Sequence, residues 1–579
     1  MIKKIRRPLG KIKRAIKRKL YERNIGKHYK AWLEQANNTT PGSLDYAITI
    51  SILVPVYNPP IEFLQECLQS VTDQQARNWE LVITNDGSTN PEVNTYLDQF
   101  KEQYANDPRI KVLTKPNGGI SSAINHSLQH ATGHYIGMLD HDDTLDPRCI
   151  STFTQVILDN KNPDVVYSDE DKIDSKGNHS ELYCKPDFSP ELLLTQMYLC
   201  HFTTFKRDQV NAVGGLRSEM DGAQDFDLAL RLLPTLTEPT ATVIHIPLPL
   251  YHWRTWSEST AQSIDAKPWA QQAAQKAQQD YLDTTFGGER ISGGEVTPSS
   301  VKGLNEIHPR TKPTKVSVII PTIGTMNTNN TNTFVADAIS SLKEKEHETE
   351  FEVIVVTTGE LPPIPGADKQ VVYNPTPTFN FSEAINLGAM NAQQESEYLL
   401  LLNDDTTALS ENPITRMLEI NQIQGVGAVG AKLTYPNGNL QHAGIIMLPS
   451  GPTHPYISKS GKEYGYFGAT LTPRNYLAVT AAAILVNKQL FNELQGFDTQ
   501  FAKDFNDVDF CLRIQEHEQR IAWTPYAHFT HHEGASLTRK NSDPAEQQVF
   551  TRRWATKYPV DPYYSPALNQ DLQRIYEAL

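Results

Sequence analysis

Residues 48 to 56 read ITISILVPV, a β-branched apolar run that ends at Tyr57-Asn58-Pro59-Pro60. This pattern predicts a buried strand followed by a turn. Further elements are predicted at 61–75 (helix), 79–84 (strand, WELVIT), 120–131 (helix, ISSAINHSLQHA) and 135–139 (strand, YIGML). Strands that alternate with helices form a parallel sheet with helices on both faces. The sequence therefore predicts an α/β fold.

Acidic residues directly follow two of the predicted strands. Asp86 follows the strand at 79–84, and Asp140-His141-Asp142-Asp143 follows the strand at 135–139. Ligands of open α/β sheets bind at the carboxyl ends of the strands. We therefore expect the functional site at this edge of the sheet.

The same pattern restarts roughly 265 residues later. Residues 316–321 (VSVIIP) repeat the form of 50–55 (ISILVP), and YLLLL at 398–402 runs into Asn403-Asp404-Asp405. A strand at 351–356 and a helix at 381–392 complete the repeat. So long a period indicates duplication of a whole domain rather than a solenoid.

The length of 579 residues fits two domains of roughly 250 residues each. The predicted division is a basic amphipathic segment at 1–45, a first catalytic domain at 46–290, a linker at 291–314 and a second catalytic domain at 315–579. The linker is rich in Gly, Pro, Ser and Lys.

The N-terminus differs sharply in charge from the rest of the chain. Residues 1–30 contain thirteen Lys and Arg and one acid, about +12, which leaves about −26 elsewhere in a chain of net charge −14. Apolar residues at steps of three and four predict an amphipathic helix with its apolar face opposite the cations. We expect this helix to lie on an anionic membrane surface; the alternatives are a solvated tail or an RNA-binding arm. The acidic remainder argues against nucleic acid as the main partner.

The compartment follows from what the sequence lacks. It has no apolar run of about 18 residues, no signal-peptide core, and five scattered cysteines without a CxxC pair. These features favour a cytoplasmic protein, and the basic helix favours a peripheral position on the inner face of the cytoplasmic membrane.

Asp140 and Asp142 form a D-x-D pair suited to a nucleotide diphosphate and its metal ion. Mg²⁺ and Mn²⁺ prefer hard oxygen ligands, which carboxylates and a diphosphate supply together. The bound ion would neutralise charge on the departing diphosphate. Acidic turns are common without a metal, so the position at a strand end carries the prediction.

Two further residues in the first half suit this chemistry. Asp225 could act as general base towards an acceptor hydroxyl; the alternatives are a helix N-cap or Asp227 in its place. His252 could complete the metal site, since a neutral imidazole binds a divalent ion already held by an aspartate, or it could be an ordinary polar residue. Trp253 and Arg254 could contact substrate or simply pack.

These residues stand in a series of motifs that resembles glycosyltransferase family 2, and more closely the tandem transferases of bacterial O-antigen and capsule assembly. The motifs of the first half are Pro55-Val56-Tyr57-Asn58, Asn85-Asp86-Gly87-Ser88, Asn117-Gly118-Gly119, Asp140-His141-Asp142-Asp143, Tyr167 to Lys172, Gln224-Asp225 and Tyr251-His252-Trp253-Arg254. The resemblance runs from about residue 48 to the C-terminus.

The resemblance implies the nucleotide-diphospho-sugar transferase (GT-A) fold and inversion by single displacement. The residues it assigns to the nucleotide sugar are Pro55, Tyr57, Asp86, Asn117 and Asp140. It assigns Asp142 and His252 to the metal and Asp225 to the role of base. The implied donors are UDP- or dTDP-sugars, and the implied acceptor is a lipid-linked oligosaccharide.

The second half resembles rhamnosyltransferase-like members of the family. Its motifs are Asn380-Phe381-Ser382, Asn403-Asp404-Asp405, Gln441-His442-Ala443-Gly444, Asn506 to Arg513 and His531-His532-Glu533. By position, Asp405 and His531 correspond to the metal ligands, Asp507 to the base, and Asn403 and Asp404 to the nucleotide-sugar contacts. His532 is an alternative to His531.

Two departures affect the second half. Asn403 replaces the first aspartate of the D-x-D, and Thr358 stands where Asp86 stands in the first half. A neutral threonine cannot make the charge-assisted hydrogen bonds of a carboxylate. The leading hypothesis is a bifunctional transferase. One alternative is a single active domain with a second domain that binds glycan, and another is a non-catalytic scaffold. A nucleotidyltransferase would need a basic glycine-rich phosphate loop near its first strand, and residues 55–60 (PVYNPP) are not such a loop.

Overall fold

The computed structural model describes residues 48–237, 241–256, 268–288, 292–375, 378–533, 543–571 and 574–577. The basic helix predicted within 1–45 lies outside these residues. Among the helices that are described, none combines the length and the apolar composition needed to cross a membrane.

The described residues form two compact units. The first unit lies within Met1–Phe188, Met197–Ala277 and Ser565–Leu579, and the second within Ser189–Gln196 and Gln278–Tyr564. Each unit is built around its own large mixed sheet with helices packed on it. The predicted α/β class is therefore confirmed, while the domain boundaries drawn from the sequence stay a prediction.

The first unit contains nine strands in one sheet, in the order β3-β2-β1-β4-β8-β6-β9-β5 with β7 paired to β6. The strands are β1 (Ile50–Val56), β2 (Trp79–Asn85), β3 (Ile110–Thr114), β4 (Tyr135–Met138), β5 (Thr144–Leu145), β6 (Val165–Ile173), β7 (His179–Tyr183), β8 (Thr203–Lys206) and β9 (Val243–Arg254). Strands β1 to β4 are mutually parallel, and β8 runs antiparallel to β4 and β6.

Helices pack on this sheet and connect its strands. They are α1 (Ile61–Thr72), α2 (Pro91–Gln103), α3 (Ile120–His130), α4 (Cys149–Asp159), α5 (Pro190–Leu193), α6 (Arg207–Ala212), α7 (Gln224–Leu236) and α8 (Pro268–Phe286). Of these, α5 and the end of α8 fall within the second unit.

Strand β1 lies in the middle of the sheet because it is apolar on both faces. Ile52 and Val54 belong to one buried cluster, and Leu53 between them belongs to a second cluster on the other face. All three side chains are fully buried. A continuous apolar run is what a parallel strand covered on both faces requires, so the opening motif fixes the centre of the sheet.

The second unit contains a ten-stranded sheet in the order β14-β13-β12-β15-β22-β17-β23-β16, with β18 paired to β17 and β21 to β23. Its strands are β12 (Lys315–Thr322), β13 (Glu350–Thr358), β14 (Lys369–Tyr373), β15 (Ser396–Leu402), β16 (Thr406–Ala408), β17 (Val426–Thr434), β18 (Leu440–His442), β21 (Arg474–Asn475), β22 (Ala483–Asn487) and β23 (Arg520–His531). Its helices are α9 (Phe334–Lys345), α10 (Phe381–Met390), α11 (Pro413–Asn421), α12 (Lys488–Glu493), α13 (Asn506–Glu516) and α14 (Pro544–Trp554).

The two sheets have the same plan. Read across each sheet, β14-β13-β12-β15-β22-β17-β23-β16 takes the places of β3-β2-β1-β4-β8-β6-β9-β5, and β18 takes the place of β7. The second unit adds the hairpin β19–β20 (Ile446–Leu448 and Gly451–Thr453) and the short strand β21. The repeat seen in the sequence is therefore a repeat of topology.

The segment predicted as a linker contains ordered structure. Residues 294–309 form the antiparallel hairpin β10–β11 (Gly294–Pro298 and Asn305–Pro309). Gly294 has a φ of +137°, and a Cβ there would lie 2.2 Å from the carbonyl oxygen of His308. The hairpin therefore needs glycine at its first position.

Candidate functional site

Three neighbouring strands of the first unit bring the predicted nucleotide-sugar residues to one edge. In the sheet order, β2, β1 and β4 are adjacent and parallel. Pro55 and Tyr57 lie at the end of β1, Asp86 follows β2, and Asp140 follows β4. Tyr57 is 47% exposed, which leaves its ring available for stacking on a base or sugar.

Asp86 is buried and organises the loop that follows β3. Its carboxylate accepts hydrogen bonds from Lys115 Nζ at 2.7 Å, from Asn117 Nδ2 at 3.2 Å and from the backbone N–H of Gly119 at 2.9 Å. Asn117, also predicted to bind the nucleotide sugar, is thus fixed by Asp86. A direct contact of Asp86 with the nucleotide stays a prediction.

The turn after β4 separates two available carboxylates from a buried one. Asp143 is 1% exposed and accepts hydrogen bonds from the Tyr251 hydroxyl and from the Arg254 backbone N–H. Burial, with the nearby charge of Asp142, raises the pKa of Asp143 well above its usual range. Asp140 and Asp142 remain partly exposed, so these two can face a ligand.

Asp142 is held in place by an indole. The Nε1–H of Trp256 donates to its Oδ2 at 2.8 Å. Beside it, Thr144 pairs with His252 across β5 and β9, which brings the second predicted ligand to the same end of the sheet.

The predicted metal ligand His252 belongs to a cluster that the sequence analysis missed. Its Nδ1 lies 2.6 Å from Asp171 Oδ1, and His179 Nδ1 lies 2.8 Å from Asp171 Oδ2. One ligand atom from each of the three residues lies within 4.8 Å of the others. If His252 donates from Nδ1 to Asp171, its Nε2 carries the lone pair. A carboxylate behind an imidazole in this way is the usual support of a histidine that binds a metal.

Asp171 keeps its charge despite deep burial. Burial alone would raise its pKa, but the neighbouring His252 and His179 bring the pKa below its usual value. An ionised Asp171 strengthens the electron-donating character of His252. The signal in the sequence was weak: Asp171 is 81 residues from His252 in the chain.

The structure separates Asp225 from Asp227. Asp227 is 1% exposed and is held by Arg217 and Arg231, with Arg231 Nε at 2.9 Å from its Oδ2. Asp225 is only partly buried and has no arginine partner among the described contacts. Helix α7 has Ala223 at its N-cap position, so the interpretation of Asp225 as an N-cap is wrong.

Asp225 has the environment of a base. Burial raises its pKa above the usual range, the charge of His201 lowers it, and Asp140 raises it further. A carboxylate with a raised pKa accepts a proton more readily than an ordinary aspartate. The charge of Asp140 thus reaches Asp225, which indicates that the two carboxylates lie near each other.

The second unit brings its predicted ligands into direct contact. His531 Nε2 lies 3.0 Å from Asp405 Oδ1 and 3.3 Å from Asn403 Nδ2. His531 Nδ1 lies 2.9 Å from Gln441 Oε1. The Nε2 atom of Gln441 donates to Glu533 at 2.9 Å, which fixes the amide so that its oxygen faces His531.

This geometry suits a divalent cation. With Nδ1 donating to Gln441, the lone pair on His531 Nε2 faces a carboxylate oxygen at 3.0 Å. Two electron-pair donors at this distance repel each other unless a proton or a cation lies between them. Imidazole nitrogen and carboxylate oxygen are ligands that Mn²⁺ accepts readily.

His531 and His532 differ in what their rings contact. The His532 ring packs against Phe334 at 5.0 Å between centroids, and only its backbone N–H reaches the Asp405 carbonyl. The imidazole that meets the Asp405 carboxylate is that of His531. The structure therefore favours His531 over the alternative.

Asp404 faces the body of the sheet. It is 8% exposed, and its Oδ2 accepts a hydrogen bond from Thr322 Oγ1 at 2.6 Å at the end of β12. Burial raises the pKa of Asp404 to about 6. Its predicted contact with the nucleotide sugar remains a prediction, and the visible contact is with Thr322.

The pair Asp507 and Asp509 repeats Asp225 and Asp227. Asp509 is fully buried and is held by Arg513 at 2.8 Å and Arg553 at 2.7 Å. Asp507 is partly exposed, with Oδ2 accepting from the backbone N–H of Ala481 at 3.2 Å. In both units the first aspartate of the helix is the one left for a ligand.

Comparisons with known proteins place both units in one family. The family model described as "Glycosyl transferase family 2" matches residues 51–213, and that described as "Glycosyltransferase like family 2" matches residues 317–538. The O-antigen biosynthesis protein RfbC of Myxococcus xanthus is 31% identical over 532 residues, which is 90% of this chain and 40% of that protein. An uncharacterized protein of Sinorhizobium fredii is 35% identical over 539 residues, 90% of this chain and 57% of the relative.

Both long matches cover only part of the relatives: the chain spans about half the length of these two curated proteins. Chondroitin synthase of Pasteurella multocida is 35% identical over 184 residues, 32% of this chain and 18% of that protein. Among solved structures, TarS of S. aureus (residues 1–349) aligns with a TM-score of 0.30 and 18% identity, over 42% of this chain and 73% of that one.

Proposed function

We propose that this chain, which belongs to glycosyltransferase family 2 through two successive domains, transfers sugars from nucleotide-sugar donors to a growing bacterial surface glycan at two active sites. One observation carries the proposal. Each unit presents an aspartate after its fourth strand, a histidine on its last long strand and an aspartate at a helix start, on sheets of the same strand order.

The proposed base is the carboxylate at the start of the helix. Asp225 in the first site and Asp507 in the second would each accept the proton of an acceptor hydroxyl. The freed oxygen attacks the anomeric carbon as the bond from that carbon to the diphosphate breaks. Attack opposite the leaving group inverts the anomeric configuration. The arginine-paired Asp227 and Asp509 are not available for this step.

The donor is proposed to lie across the ends of the first four strands of each unit. In the first site Tyr57 would stack on the nucleotide, and Asp140 would bind near the ribose or diphosphate. Asp142 with His252, and Asp405 with His531, would hold Mg²⁺ or Mn²⁺. When bound, the ion neutralises charge on the diphosphate.

The acceptor is proposed to be lipid-linked, with the enzyme peripheral on the cytoplasmic face of the membrane. The support is the charge of residues 1–30, about +12, together with the name of the M. xanthus relative. Sedimentation with anionic vesicles checks it. The full chain should pellet at low salt and be released at high salt. No pelleting at low salt would contradict it.

Release of nucleotide from a panel of donors tests the enzyme proposal. Purified protein is incubated with UDP-glucose, UDP-N-acetylglucosamine, UDP-glucuronate and dTDP-rhamnose, with Mn²⁺ or Mg²⁺, with and without a lipid-linked acceptor extract. We expect Asp142→Ala to remove turnover of one donor and Asp405→Ala that of another, each by more than about 100-fold, and EDTA to remove both.

Exposed acidic residues serve as matched controls. Asp98→Ala in the first unit and Glu397→Ala in the second should leave turnover unchanged, since both residues are exposed. Full product from Asp405→Ala would mean that the second domain is not catalytic. Normal activity of both Asp142→Ala and Asp405→Ala would refute the assignment of the two active sites, and no turnover of any donor by the unaltered protein with the acceptor extract would refute the enzyme proposal.

A further inference from the structure

Within the motif Gln441-His442-Ala443-Gly444, Gln441 contacts His531, whereas His442 and Gly444 contact other groups. Gly444 has a φ of +91°, and a Cβ there would lie 2.3 Å from the Tyr476 ring. Glycine is therefore required for the chain to pass under this ring. His442, two residues before Gly444, is fully buried. A fully buried histidine needs partners for both ring nitrogens.

His442 and His454 form a hydrogen-bonded pair. Their Nδ1 atoms lie 3.0 Å apart, so one ring donates and the other accepts. The backbone N–H of Thr480 points at His442 Nε2 in a long contact of 3.5 Å, which makes that nitrogen the acceptor. His442 then carries its proton on Nδ1 and donates to His454 Nδ1.

This direction fixes the proton of His454. Because its Nδ1 accepts, a neutral His454 must carry its proton on Nε2. Burial lowers the pKa of both rings, most strongly that of His442; Asp507 and Glu533 act in the opposite direction on His454. A neutral ring is a hydrogen-bond donor without a net charge.

The pair is attached to the proposed base through one short loop. Consecutive backbone N–H groups serve the two: Thr480 points to His442, and Ala481 donates to Asp507 at 3.2 Å. His454 follows the hairpin β19–β20, which directly follows the motif, and is partly exposed. His454 therefore lies near the loop that holds Asp507, and the charge of Asp507 acts on its ring.

The described residues of the first unit have no counterpart of this hairpin, and the histidine whose charge acts on Asp225 is His201, in the segment before β8. Between β7 and β8, residues 184–202 are all described and contain only the short helix α5. The first site keeps the histidine–carboxylate arrangement without a hairpin beside it. Between these two strands of the first unit, the described residues thus hold no histidine pair on a hairpin.

We propose that His454 is a specificity-determining residue of the second site, where its Nε2–H binds a hydroxyl of the acceptor sugar next to the hydroxyl that Asp507 deprotonates. This inference rests on the proposed function of the second domain. A neutral N–H donor beside a carboxylate acceptor matches two adjacent hydroxyls, one accepting and one donating. The acceptor class is therefore a sugar with a vicinal diol, uncharged at these positions.

The test measures the second site by itself. In the Asp142→Ala background, we measure sugar transfer from the accepted donor to p-nitrophenyl glycosides of rhamnose, glucose, galactose and N-acetylglucosamine. Each glycoside is also tested as the deoxy analogue that lacks the hydroxyl next to the one that is attacked. We expect His454→Leu to raise the KM for the hydroxylated acceptor about tenfold, the effect of one lost hydrogen bond, with the donor KM unchanged. His454→Gln, which keeps an N–H donor, should recover part of it.

The deoxy acceptors make the test specific. With His454 intact, removing this hydroxyl should raise the acceptor KM by the same factor as His454→Leu does. The His454→Leu substitution should then raise the KM of the deoxy acceptors no further. His347→Leu, the same change at an exposed histidine of the second unit, is the matched control. Equal KM values for His454→Leu and the parent, or the same further loss on the deoxy acceptor, would overturn the inference.

Two results separate this inference from the proposed function. Absence of any transfer in the Asp142→Ala background would overturn the two-site function and the inference with it. The ¹⁵N chemical shifts of the ring nitrogens need no turnover: they should show His442 protonated on Nδ1 and His454 on Nε2. The reverse assignment would overturn the inference alone.

Discussion

The two sites support equivalent histidines with different chemistry. In the first, His252 Nδ1 meets the Asp171 carboxylate at 2.6 Å; in the second, His531 Nδ1 meets the Gln441 amide oxygen at 2.9 Å. A carboxylate makes an imidazole a stronger ligand than an amide does. The carboxylate comes from the long strand β6, whereas the amide comes from the short strand β18, which pairs with β17. Duplicated sheets can thus keep a proposed metal ligand and change the residue that supports it.

Other positions differ in the same direction. The first site has Asp140 where the second has Asn403, and Asp86 where the second has Thr358. The second site therefore presents less negative charge, while Asp405 and His531 stand in direct contact. We therefore expect the proposed metal ion to bind more tightly at the first site, and its binding at the second to depend more on the diphosphate of the donor.

The largest expected effect concerns what the sites share. Asp225→Asn should reduce transfer by the first site, and Asp507→Asn transfer by the second, by about 10² to 10⁴-fold. The donor KM should change little, because the base acts on the acceptor. Single-turnover kinetics on each accepted donor measures this. A variant that keeps its transfer rate would show that the two helix starts are not equivalent.

An intermediate effect concerns the supports of the histidines. Asp171→Asn should weaken Mn²⁺ binding at the first site by about 10 to 100-fold, and Gln441→Glu should strengthen it at the second. Mn²⁺ titration followed by electron paramagnetic resonance, in Asp405→Ala and Asp142→Ala backgrounds respectively, isolates each site. Asp98→Asn, the same change at an exposed aspartate of the first unit, is the control. Equal affinities before and after both changes would show that the carboxylate and the amide support the two histidines equally.

The smallest expected effect is a shift in pH dependence at the first site. Burial holds the pKa of Asp225 above its usual 3.8, and the charge of His201 lowers it. Transfer therefore falls as pH drops through this raised pKa and the base becomes protonated. His201→Gln removes the lowering charge, so the acidic limb should move to higher pH by less than about one unit. A move to lower pH would contradict this placement of His201.

The sequence predicted what is local and left out what is distant. The strand cores and the residues at strand ends were predictable, because an apolar run and the acid that follows it are adjacent in the chain. Asp171 and Gln441 were not, since they reach their histidines across 81 and 90 residues. His454 was missed for the same reason, because a histidine after a hairpin shows no periodicity that marks it as part of a site.

The choice between neighbouring candidates also needed coordinates. Asp225 and Asp227, like His531 and His532, are too close in sequence for motif spacing to decide between them. Packing decided each case: Arg217 and Arg231 hold Asp227, and Phe334 packs against His532. The sequence contains these partners, but nothing in it says which of two near neighbours they contact.

The repeated strand order has a consequence for the relative amounts of the two domains. One chain with two copies of the same sheet delivers both copies in a fixed one-to-one ratio, whatever its level of expression. Two sugars added by such a chain would be added by catalysts present in equal number. The ratio of the two linkages in the glycan would then follow from the rates of the sites and the donor concentrations, with no need to balance the output of two genes.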